Sequence, residues 1–539
     1  MWPTHRRASA VCTRSYAPPQ AHLVTVSTPR FPDTVELFLV LSAAPARLSG
    51  KQQDMSTHPR KRYARTDGTE TMTSDGRSFR FVDLFAGLGG FHVALHDLGG
   101  RGVFAAEWEP TLNALYKGNF GVQPWSDIND LDSDATIARE VPDHELLAAG
   151  FPCQPFSKAG DQLGFADTSQ GSLFFKVHQI LKVKRPGRFI LENVPNILRH
   201  DGGRTQGTII EKLEEIGYTV KVAHLSPHEF GIPQVRDRAY FVGSRAGLDD
   251  FEWPTKHKDQ TDITTVLRDV APFARRIPEQ TLRAIDMWGD FLRRTPASLK
   301  MPSFPIWAME FGATYPYEDE TPPGVWERRP VWGLRQMNVK GSFGFDVDGL
   351  AIPAQKDLIP SHARRDGDYQ FPRWKRTFIR QNRDFYGDNR SWIDPWLNEW
   401  QPWDVPSSFQ KMEWNAQGEV RDIDNFVLQV RASGLRVKRP STAPSLIAFT
   451  QTQVPILGAH LAGQRRYMTP HECAQLQSLG AIQLPASDLD AYKALGNAVN
   501  AQVVKAIAEP LLAGVQEPVS LDPTLTDHMN RLEPLGAIA

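Results

Sequence analysis

Short apolar runs alternate with amphipathic segments from residue 79 onward, which predicts strands and helices in turn. Residues 80–85 are rich in β-branched and aromatic side chains and predict a strand, followed by a glycine-rich turn. Residues 91–98 carry apolar side chains at helical spacing and end at Gly99-Gly100, so they predict a helix. A strand, a glycine turn and a helix in this order open a doubly wound α/β fold.

Polar residues follow the next predicted strands. Three more apolar runs of strand length occur at residues 103–106, 145–150 and 188–191. Glu107 and Trp108 come directly after the first run, and Glu192 comes after the third. The carboxyl ends of parallel strands share one edge of a sheet, where such folds bind ligands. A glutamate there is often only solvated, but its place after a strongly apolar strand favours a functional role for Glu192.

The turn after the first strand contains Gly87-Leu-Gly-Gly90. Glycines allow a ligand to approach the backbone at a helix N-terminus, which favours a nucleotide-like ligand. The pattern differs from GxGxxG, so a tight turn that binds nothing stays open as the alternative.

Cys153 lies in the segment 150–160, between Pro152 and Gln154-Pro155. Proline fixes φ and biases the preceding residue toward extended geometry, so the thiol is displayed on a stiff loop after an apolar run. Such a thiol suits a nucleophile, whereas most free cysteines are small buried hydrophobes. The loop alone leaves both interpretations open.

Farther along, Arg236 and Arg238 lie two residues apart in a segment predicted to be extended. Side chains at this spacing project to the same side of a strand. Paired guanidiniums are suited to phosphates or carboxylates.

Composition narrows the class of protein. The chain is 41% hydrophobic and 23% charged with a net charge of −1, as in a globular protein without overall basic character. Its three cysteines (Cys12, Cys153, Cys473) are far apart, which argues against a disulfide framework or a metal site and fits a reducing cytoplasm. Cys473 lies on the apolar side of a predicted helix and is interpreted as packing. No apolar run reaches 18 residues, so no membrane helix is expected.

The ends and the middle of the chain differ from the rest. Residues 1–77 lack periodicity and predict a disordered extension or a mis-assigned start, with Met55 and Met72 as alternative first residues. Eleven of the 14 tryptophans lie between Trp253 and Trp414, which indicates a separately folded insert. Residues 516–539 predict a frayed tail.

Seven motifs, taken in order, resemble the cytosine-C5 DNA methyltransferase family of bacterial restriction–modification type. They are Phe85-Ala-Gly-Leu-Gly-Gly90, Glu107-Trp108, Pro152-Cys-Gln-Pro155, Glu192-Asn-Val194, Gln234-Val-Arg-Asp-Arg238, Thr469-Pro-His-Glu-Cys-Ala-Gln-Leu-Gln477 and Leu495-Gly-Asn-Ala-Val499. The resemblance implies a Rossmann-like, doubly wound S-adenosylmethionine-dependent methyltransferase domain at 78–250 and 441–515. An inserted target recognition domain is implied at 251–440.

The resemblance also implies a chemistry. Cys153 would add to C6 of a cytosine flipped out of the duplex, and Glu192 would act as an acid near N3. Arg236 and Arg238 would complete the catalytic group near O2 of the base and the cysteine loop. S-adenosylmethionine is the implied cofactor, and its implied contacts are Phe85, Gly87, Leu88, Gly89, Glu107, Trp108, Asp127, Ile128 and Asn497.

Duplex DNA is the implied partner. In the insert, arginines and lysines alternate with aromatic residues between 361 and 383, as expected for contacts to phosphates and base edges. A solvated basic surface over core tryptophans is the alternative. The residues assigned to DNA are Gln154, Ser157, Gln234, Arg364, Arg365, Arg373, Lys375, Arg376, Arg380 and Arg383. One departure from the family lies at Gln170-Gly-Ser-Leu173, where Arg-Gly is commoner, so support of the cysteine loop is expected to differ.

Further expectations come from the same resemblance. They are a monomer in the bacterial cytoplasm and a cognate restriction endonuclease that forms no stable complex with it. A tRNA-directed member of the family is one alternative, which the insert of roughly 190 residues and the Pro-Cys-Gln-Pro loop argue against. A catalytically inactive DNA-binding relative is another, which the intact Cys153 and Glu192 argue against.

Overall fold

The computed structural model describes residues 78–152, 171–257, 259–268, 274–447 and 453–513, with only the backbone described at 171 and 172. The predicted N-terminal extension, the tail and most of the cysteine loop, including Cys153, Gln154, Ser157 and Gln170, lie outside these residues. No helix in the described ranges is long and apolar enough to cross a membrane.

A six-stranded mixed sheet forms the first half of the described chain. The strands up to residue 250 are β1 (Phe79–Leu84), β2 (Gly100–Ala106), β3 (Leu146–Ala149), β4 (Arg188–Asn193), β5 (Thr219–Leu225), β6 (Gln234–Val235) and β7 (Arg238–Ser244). The order in the sheet is β2-β1-β3-β4-β7-β5, and β6 belongs to another sheet. β7 runs antiparallel to its neighbours β4 and β5, whereas β2, β1, β3 and β4 are parallel. The doubly wound α/β prediction is confirmed.

Register brings the carboxyl ends of the parallel strands together. Leu84 at the end of β1 pairs with Ala106 of β2 and with Ala149 of β3, and Ala149 pairs with Leu191 of β4. The segments that begin directly after these residues therefore emerge side by side at one edge.

Helices cover both faces of this sheet. They are α1 (Gly90–His96), α2 (Pro110–Phe120), α3 (Asp134–Glu140), α4 (Gly171–Lys184) and α5 (Arg204–Glu215). Phe81 and Ile190 point into one apolar core, and Val82 and Leu191 point into the other, because alternate residues of a strand face opposite sides. Burial on both faces explains why these strands appear in the sequence as continuous apolar runs.

The insert forms a second six-stranded sheet with its own helices. The helices are α6 (Glu279–Arg294), α7 (Pro322–Arg328), α8 (Ile352–Leu358) and α9 (Arg373–Trp400), and the strands are β8 (Ile306–Trp307), β9 (Lys411–Asn415), β10 (Val427–Arg431) and β11 (Gly434–Lys438). Trp288 of α6 and Trp396 of α9 are buried against each other with their ring centroids 5.4 Å apart. The indole of Trp288 donates to the carbonyl of Phe409. These two tryptophans therefore serve the core.

The segment that follows the insert contributes strands to two different sheets. β12 (Ala443–Pro444) pairs with β6, but β13 (Ile456–Leu457) and β14 (Arg466–Tyr467) add to the second sheet, whose order is β14-β13-β10-β11-β9-β8. The sequence placed the end of the insert at residue 440. The second sheet extends beyond this residue, because β13 pairs with β10.

Four helices complete the described chain: α10 (Ala459–Ala462), α11 (Pro470–Gln475), α12 (Asp488–Asn497) and α13 (Ala501–Leu512). α13 packs against α1, which follows the glycine turn of β1. Cys473 of α11 is fully buried, and burial raises the pKa of its thiol. The interpretation of Cys473 as a packing residue is confirmed.

Candidate active site

A buried ion pair lies at the carboxyl edge of the first sheet. The Oε1 atom of Glu192, near the end of β4, lies 2.7 Å from Nε of Arg238, the first residue of β7. β4 and β7 are neighbours, and Glu192 is opposite Tyr240 in their register. Antiparallel pairing therefore brings the start of β7 to the edge where β4 ends. The sequence predicted both residues for this site, and the structure brings them into contact.

The segment that leads into the cysteine loop passes beside Glu192. A Cβ atom placed on Gly150 would lie 3.6 Å from Oε2 of Glu192, so the backbone at Gly150 passes within van der Waals reach of this carboxylate. The side-chain amide of Asn193 donates to the carbonyl oxygen of Phe151 at 3.2 Å. These contacts fix Gly150 and Phe151 next to the carboxylate, two residues before Cys153.

Asn193 is a functional candidate that sequence reasoning did not single out. It is buried, and its Oδ1 also accepts from the amide of Val194. It therefore joins the chain after Glu192 to the chain before Cys153. Its place inside Glu192-Asn-Val194 was the available signal.

The glycine turn after β1 has a left-handed backbone. Phe85, Gly87 and Gly89 have φ values of 57°, 53° and 82°. A Cβ atom on Gly87 would meet nothing within 4 Å, so this face of the turn is open. A Cβ atom on Gly89 would collide with the buried ring of Phe120 at 2.2 Å, so Gly89 serves packing. Leu88 is buried between them.

Glu107 ties the second strand to this turn. Its Oε2 accepts from the amide of Gly87 at 2.8 Å, and its Oε1 accepts from the amide of Glu109 at 2.9 Å. Burial raises the pKa of the carboxyl group, and the two amide hydrogen bonds oppose this shift. The side chain of the adjacent Trp108 is 80% exposed. An aromatic face and an acidic side chain therefore lie together at the end of β2.

The remaining predicted cofactor contacts lie on two different segments. Asp127 is exposed, and its carboxylate accepts from the amide of Asn129, while Ile128 is buried. Asn497 is exposed at the end of α12. A Cβ atom on Gly90 would come within 2.5 Å of the carbonyl oxygen of Val499. The turn that follows Asn497 therefore packs directly on the glycine turn.

Arg236 and Arg238 do not share one side of a strand. β6 ends at Val235 and pairs with β12, whereas β7 begins at Arg238 and pairs with β4. The two arginines are therefore not on one regular strand, and they bind different partners, Arg238 the carboxylate of Glu192 and Arg236 the backbone of two distant segments.

Arg236 is 1% exposed and binds backbone. Its Nη2 donates to the carbonyl oxygens of Gly496 and Ala498, each at 2.8 Å. Its Nη1 donates to the carbonyl of Leu446 and the hydroxyl of Ser445, each at 3.3 Å. The guanidinium therefore joins β12 to the turn that carries Asn497.

Gln234, predicted to contact DNA, is also inside the protein. It is fully buried, and its Oε1 accepts from the side-chain amide of Gln477 at 2.9 Å. The amide of Ala501, the first residue of α13, donates to the carbonyl of Gln477. Gln234 thus connects β6 to the C-terminal helices.

The basic residues of 361–383 are mostly engaged within the insert. Lys375 is buried and donates to the carbonyl of His362, and Arg383 pairs with the buried Glu310 at 3.0 Å. Arg380 and Arg376 both bind Glu318, through its carboxylate and its carbonyl respectively. Their acceptors are distant in sequence, which explains why the local pattern did not reveal these contacts.

The other three cations of this segment have no carboxylate within 3.5 Å among the residues that the structure describes. Arg364 donates to the carbonyl of Lys356, and Arg365 and Arg373 are exposed. Only part of the predicted DNA-binding set therefore presents free guanidinium groups to solvent.

A mixed sheet with a glycine turn, an acidic strand end and a Glu–Arg pair at one edge defines a Rossmann-like α/β enzyme. Residues 79–301 match the model of the family described as C-5 cytosine-specific DNA methylase. The chain is 30% identical over 506 residues to the type II methyltransferase M.AluI of Cellulosimicrobium cellulans, covering 81% of this chain and 92% of that protein. The chain belongs to the C-5 cytosine-specific DNA methylase family, as the motifs predicted.

Two further matches differ from the match to M.AluI: one covers a smaller share of the relative, and the other has a lower sequence identity. The chain is 43% identical over 198 residues to the type II methyltransferase M.HaeII of Haemophilus aegyptius, which is 36% of this chain and 60% of that relative. The S. pombe Dnmt2 methyltransferase, a solved structure, is 16% identical over 81% of this chain and 98% of that chain with a TM-score of 0.41. Values this low add nothing to the sequence matches.

Proposed function

We propose that this chain is a DNA (cytosine-5-)-methyltransferase that moves a methyl group from S-adenosylmethionine to C5 of a cytosine flipped out of duplex DNA. Family membership supports the reaction class. The observation that carries the proposal is the buried Glu192–Arg238 pair beside the chain that leads into Cys153. A nucleophile, an acid and a guanidinium that holds the acid are what this chemistry requires.

The carboxyl edge of the sheet fits the cofactor. Gly87 leaves open space at the glycine turn, and Glu107 keeps lone pairs for hydroxyl groups after accepting two backbone amides. Trp108 offers a flat exposed face, and Asp127 and Asn497 present polar groups from the flanking segments. When bound, S-adenosylmethionine supplies an electrophilic methyl group on a sulfonium.

Cys153 and Glu192 divide the work on the base. The Cys153 thiolate forms a bond to C6 while protonated Glu192 gives its proton to N3, so that C5 becomes electron-rich and Glu192 is left as the carboxylate that pairs with Arg238. After C5 carries the methyl group, the C5 proton is lost to solvent, the C6–sulfur bond breaks to release the thiolate, and N3 returns its proton to Glu192, which restores the ring. C5 alone is too weak a nucleophile, so neither residue suffices without the other.

Arg238 orients the acid. It holds Oε1 of Glu192, whereas Oε2 is the oxygen on the side of Gly150. The free oxygen therefore faces the described chain that leads toward Cys153, and the base attacked by this cysteine would take its proton from Oε2. Arg238 also remains close enough to contact the same base.

Arg236 acts as a positioning residue for the cofactor pocket. Its four hydrogen bonds fix the turn around Asn497, and this turn packs on Gly90 of the glycine turn. Its burial excludes contact with DNA in this arrangement. The catalytic role suggested by the motif thus falls to Arg238 alone.

Arg236→Lys is expected to weaken binding of S-adenosylhomocysteine about tenfold while kcat at saturating cofactor changes little. A lysine ammonium cannot donate to all four acceptors of Arg236, which lie at 445, 446, 496 and 498. Each hydrogen bond of a charged donor is worth about 1.5–3 kcal/mol. Calorimetric titration gives the dissociation constant, and methyl transfer at several cofactor concentrations separates KM from kcat.

Arg421→Lys is the matched control. Arg421 likewise donates to backbone carbonyls, those of Thr295, Pro296 and Leu299, but inside the insert. It should cost stability without changing the affinity for S-adenosylhomocysteine. A fall in kcat at unchanged affinity in Arg236→Lys would show that Arg236 acts on the reacting base instead.

Methyl transfer to DNA is the direct test of the proposed function. Purified protein, labelled S-adenosylmethionine and duplex DNA should give label in 5-methylcytosine after digestion to nucleosides. Label found only in tRNA, or none at all, would refute the proposal. The relatives M.HaeII and M.AluI are named type II methyltransferases, which supports a role in protecting DNA from a restriction endonuclease.

A further inference from the structure

Asn113 of α2 joins two segments that border the proposed cofactor pocket. Its side chain is buried, and its Nδ2 donates to the carbonyl oxygens of Glu107 at 2.8 Å and of Pro124 at 3.2 Å. Its Oδ1 accepts from Nε2 of Gln123 at 2.7 Å. Both hydrogens of the amide are therefore used between the end of β2 and the segment that leads to Asp127.

These two carbonyls flank the point where strand pairing ends. Ala106 of β2 forms an isolated parallel bridge with Trp125. The amide of Glu107 donates to the carbonyl of Trp125 at 2.9 Å. One bridge fixes the pairing of two segments at a single residue only. Asn113 adds a donor on either side of it, toward Pro124 before the bridge and toward Glu107 after it.

The helix that carries Asn113 is itself fixed to the glycine turn. Tyr116 and Phe120 lie about one and two turns after Asn113, and both are buried. A Cβ atom on Gly89 would come within 2.2 Å of the ring of Phe120 and 3.2 Å of that of Tyr116. The hydroxyl of Tyr116 also donates to the buried carboxylate of Asp83 at 3.1 Å. Asn113 therefore projects from an element whose position is set by the turn proposed to contact the cofactor.

A carboxylate extends from each of the segments that Asn113 joins. Glu107 comes directly after β2, and Asp127 follows the bridge residue Trp125 by two positions. The hydroxyls of a ribose suit the first carboxylate, and the exocyclic amine of adenine, which is a donor, suits the second. The ribose and the base of a nucleoside are joined at a fixed length. Both carboxylates can therefore bind one nucleoside well only if their own spacing is fixed beforehand.

We propose that Asn113 is a positioning residue that fixes the spacing of Glu107 and Asp127 and so makes the pocket selective for an adenine-bearing cofactor. This inference rests on the proposed function and adds to it the origin of the selectivity. Asparagine suits this role because its amide has two donors for carbonyls on two segments, whereas an aspartate of the same shape has none when ionised. Asn113 lies outside the seven sequence motifs.

Ligand selectivity tests this role. Calorimetric titration of the full-length protein uses S-adenosylhomocysteine and S-inosylhomocysteine, which has a carbonyl oxygen in place of the amine. The wild type should prefer the adenine ligand by about tenfold or more, the effect of one hydrogen bond to a charged group. In Asn113→Asp the preference should fall to about threefold or less, because Asp127 is no longer held at the distance of the amine.

Asn382→Asp is the matched control. Asn382 is fully buried in α9, where its Nδ2 donates to the carbonyls of Pro305 and Phe378 and its Oδ1 accepts from the amide of Trp307. The hydrogen bonding is like that of Asn113, but the joined segments belong to the insert. This variant should unfold at a lower temperature and keep the wild-type preference for the adenine ligand.

Gln123→Ala decides the question if Asn113→Asp does not fold. Gln123 is exposed, and its Nε2 donates to Oδ1 of Asn113 and to the carbonyl of Pro124. Its removal loosens the same amide without placing a charge in the protein interior. The preference for the adenine ligand should then fall by about twofold to threefold, in the same direction as in Asn113→Asp.

Three outcomes would overturn the inference. One is a wild-type preference in the Asn113→Asp protein, or in Gln123→Ala where that variant decides. Another is an equal loss of preference in Asn382→Asp, since any lost buried amide would then have this effect. The third is a wild type that binds both ligands equally. Each of these refutes only the role of Asn113 if the wild type binds S-adenosylhomocysteine, whereas no binding by the wild type refutes the proposed cofactor and the inference with it.

Discussion

Cys153→Ala is expected to lower the turnover of DNA methylation by more than ~10⁴-fold, since removal of an enzyme nucleophile typically has effects of this size. Affinity for duplex DNA and for S-adenosylhomocysteine should stay close to wild type, because Cys153 is not among the predicted cofactor or DNA contacts. The direct measurement is covalent capture of DNA that contains 5-fluorocytosine. Fluorine at C5 cannot leave as a proton does, so the bond from sulfur to C6 should persist in the wild type and be absent in the variant.

Cys473→Ala provides the comparison for this experiment. Its thiol is buried in α11, and burial raises its pKa, so it has neither access to DNA nor a ready thiolate. This variant should retain turnover and adduct formation even if it loses some stability. Adduct formation by Cys153→Ala, or its loss in Cys473→Ala, would mean that the nucleophile has been assigned to the wrong cysteine.

The residues at the carboxyl edge of the first sheet could be predicted from the sequence, because they follow from the apolar runs and from the geometry of parallel strands. Apolar runs indicate the strands, and parallel pairing requires the strand ends to meet, so the sequence alone predicts Glu107 and Glu192 at one edge. The register of Leu84, Ala149 and Leu191 confirms this. The hydrogen-bond partners of these carboxylates could not be predicted in the same way. The amide of Gly87 reaches Glu107 only because of the backbone conformation of the glycine turn, which a strand pattern does not specify.

Arg236 shows where local reasoning fails. A two-residue spacing predicts a shared side only within one regular strand, and here the strand breaks between Val235 and Arg238. The carbonyls that Arg236 binds lie more than two hundred residues away in the chain, at Leu446, Gly496 and Ala498. Nothing in a single sequence indicates which distant carbonyls will need a donor.

In the insert, the local sequence also failed to show which cations are available to bind DNA. A run of arginines and lysines near aromatic residues predicted a DNA surface at 361–383, but Glu310 and Glu318 from an earlier loop bind three of its arginines. Whether a cation is available depends on its neighbours in three dimensions, which local density does not report.

Glu192→Gln is expected to lower kcat by about 10²–10⁴-fold, the usual contribution of a positioned general acid. Glutamine preserves the shape of the side chain and still accepts from Arg238 through its carbonyl oxygen. It cannot transfer a proton toward N3, so the addition of Cys153 to C6 loses its assistance. With 5-fluorocytosine DNA the adduct should therefore form far more slowly than in the wild type, while the final amount stays similar.

Glu472→Gln separates the loss of an acid from the loss of a buried ion pair. Glu472 is fully buried and binds Arg466 through both oxygens at 2.8 Å, so it matches Glu192 in chemistry, but its other partners are the amides of Arg268 and Thr469. Breaking a buried pair costs about 3–5 kcal/mol, so this variant should unfold at a lower temperature and keep its kcat. If kcat of Glu192→Gln stayed within tenfold of wild type while Glu472→Gln lost stability as expected, the acid would have to be another group, and Glu192 would serve only to hold Arg238 against the base.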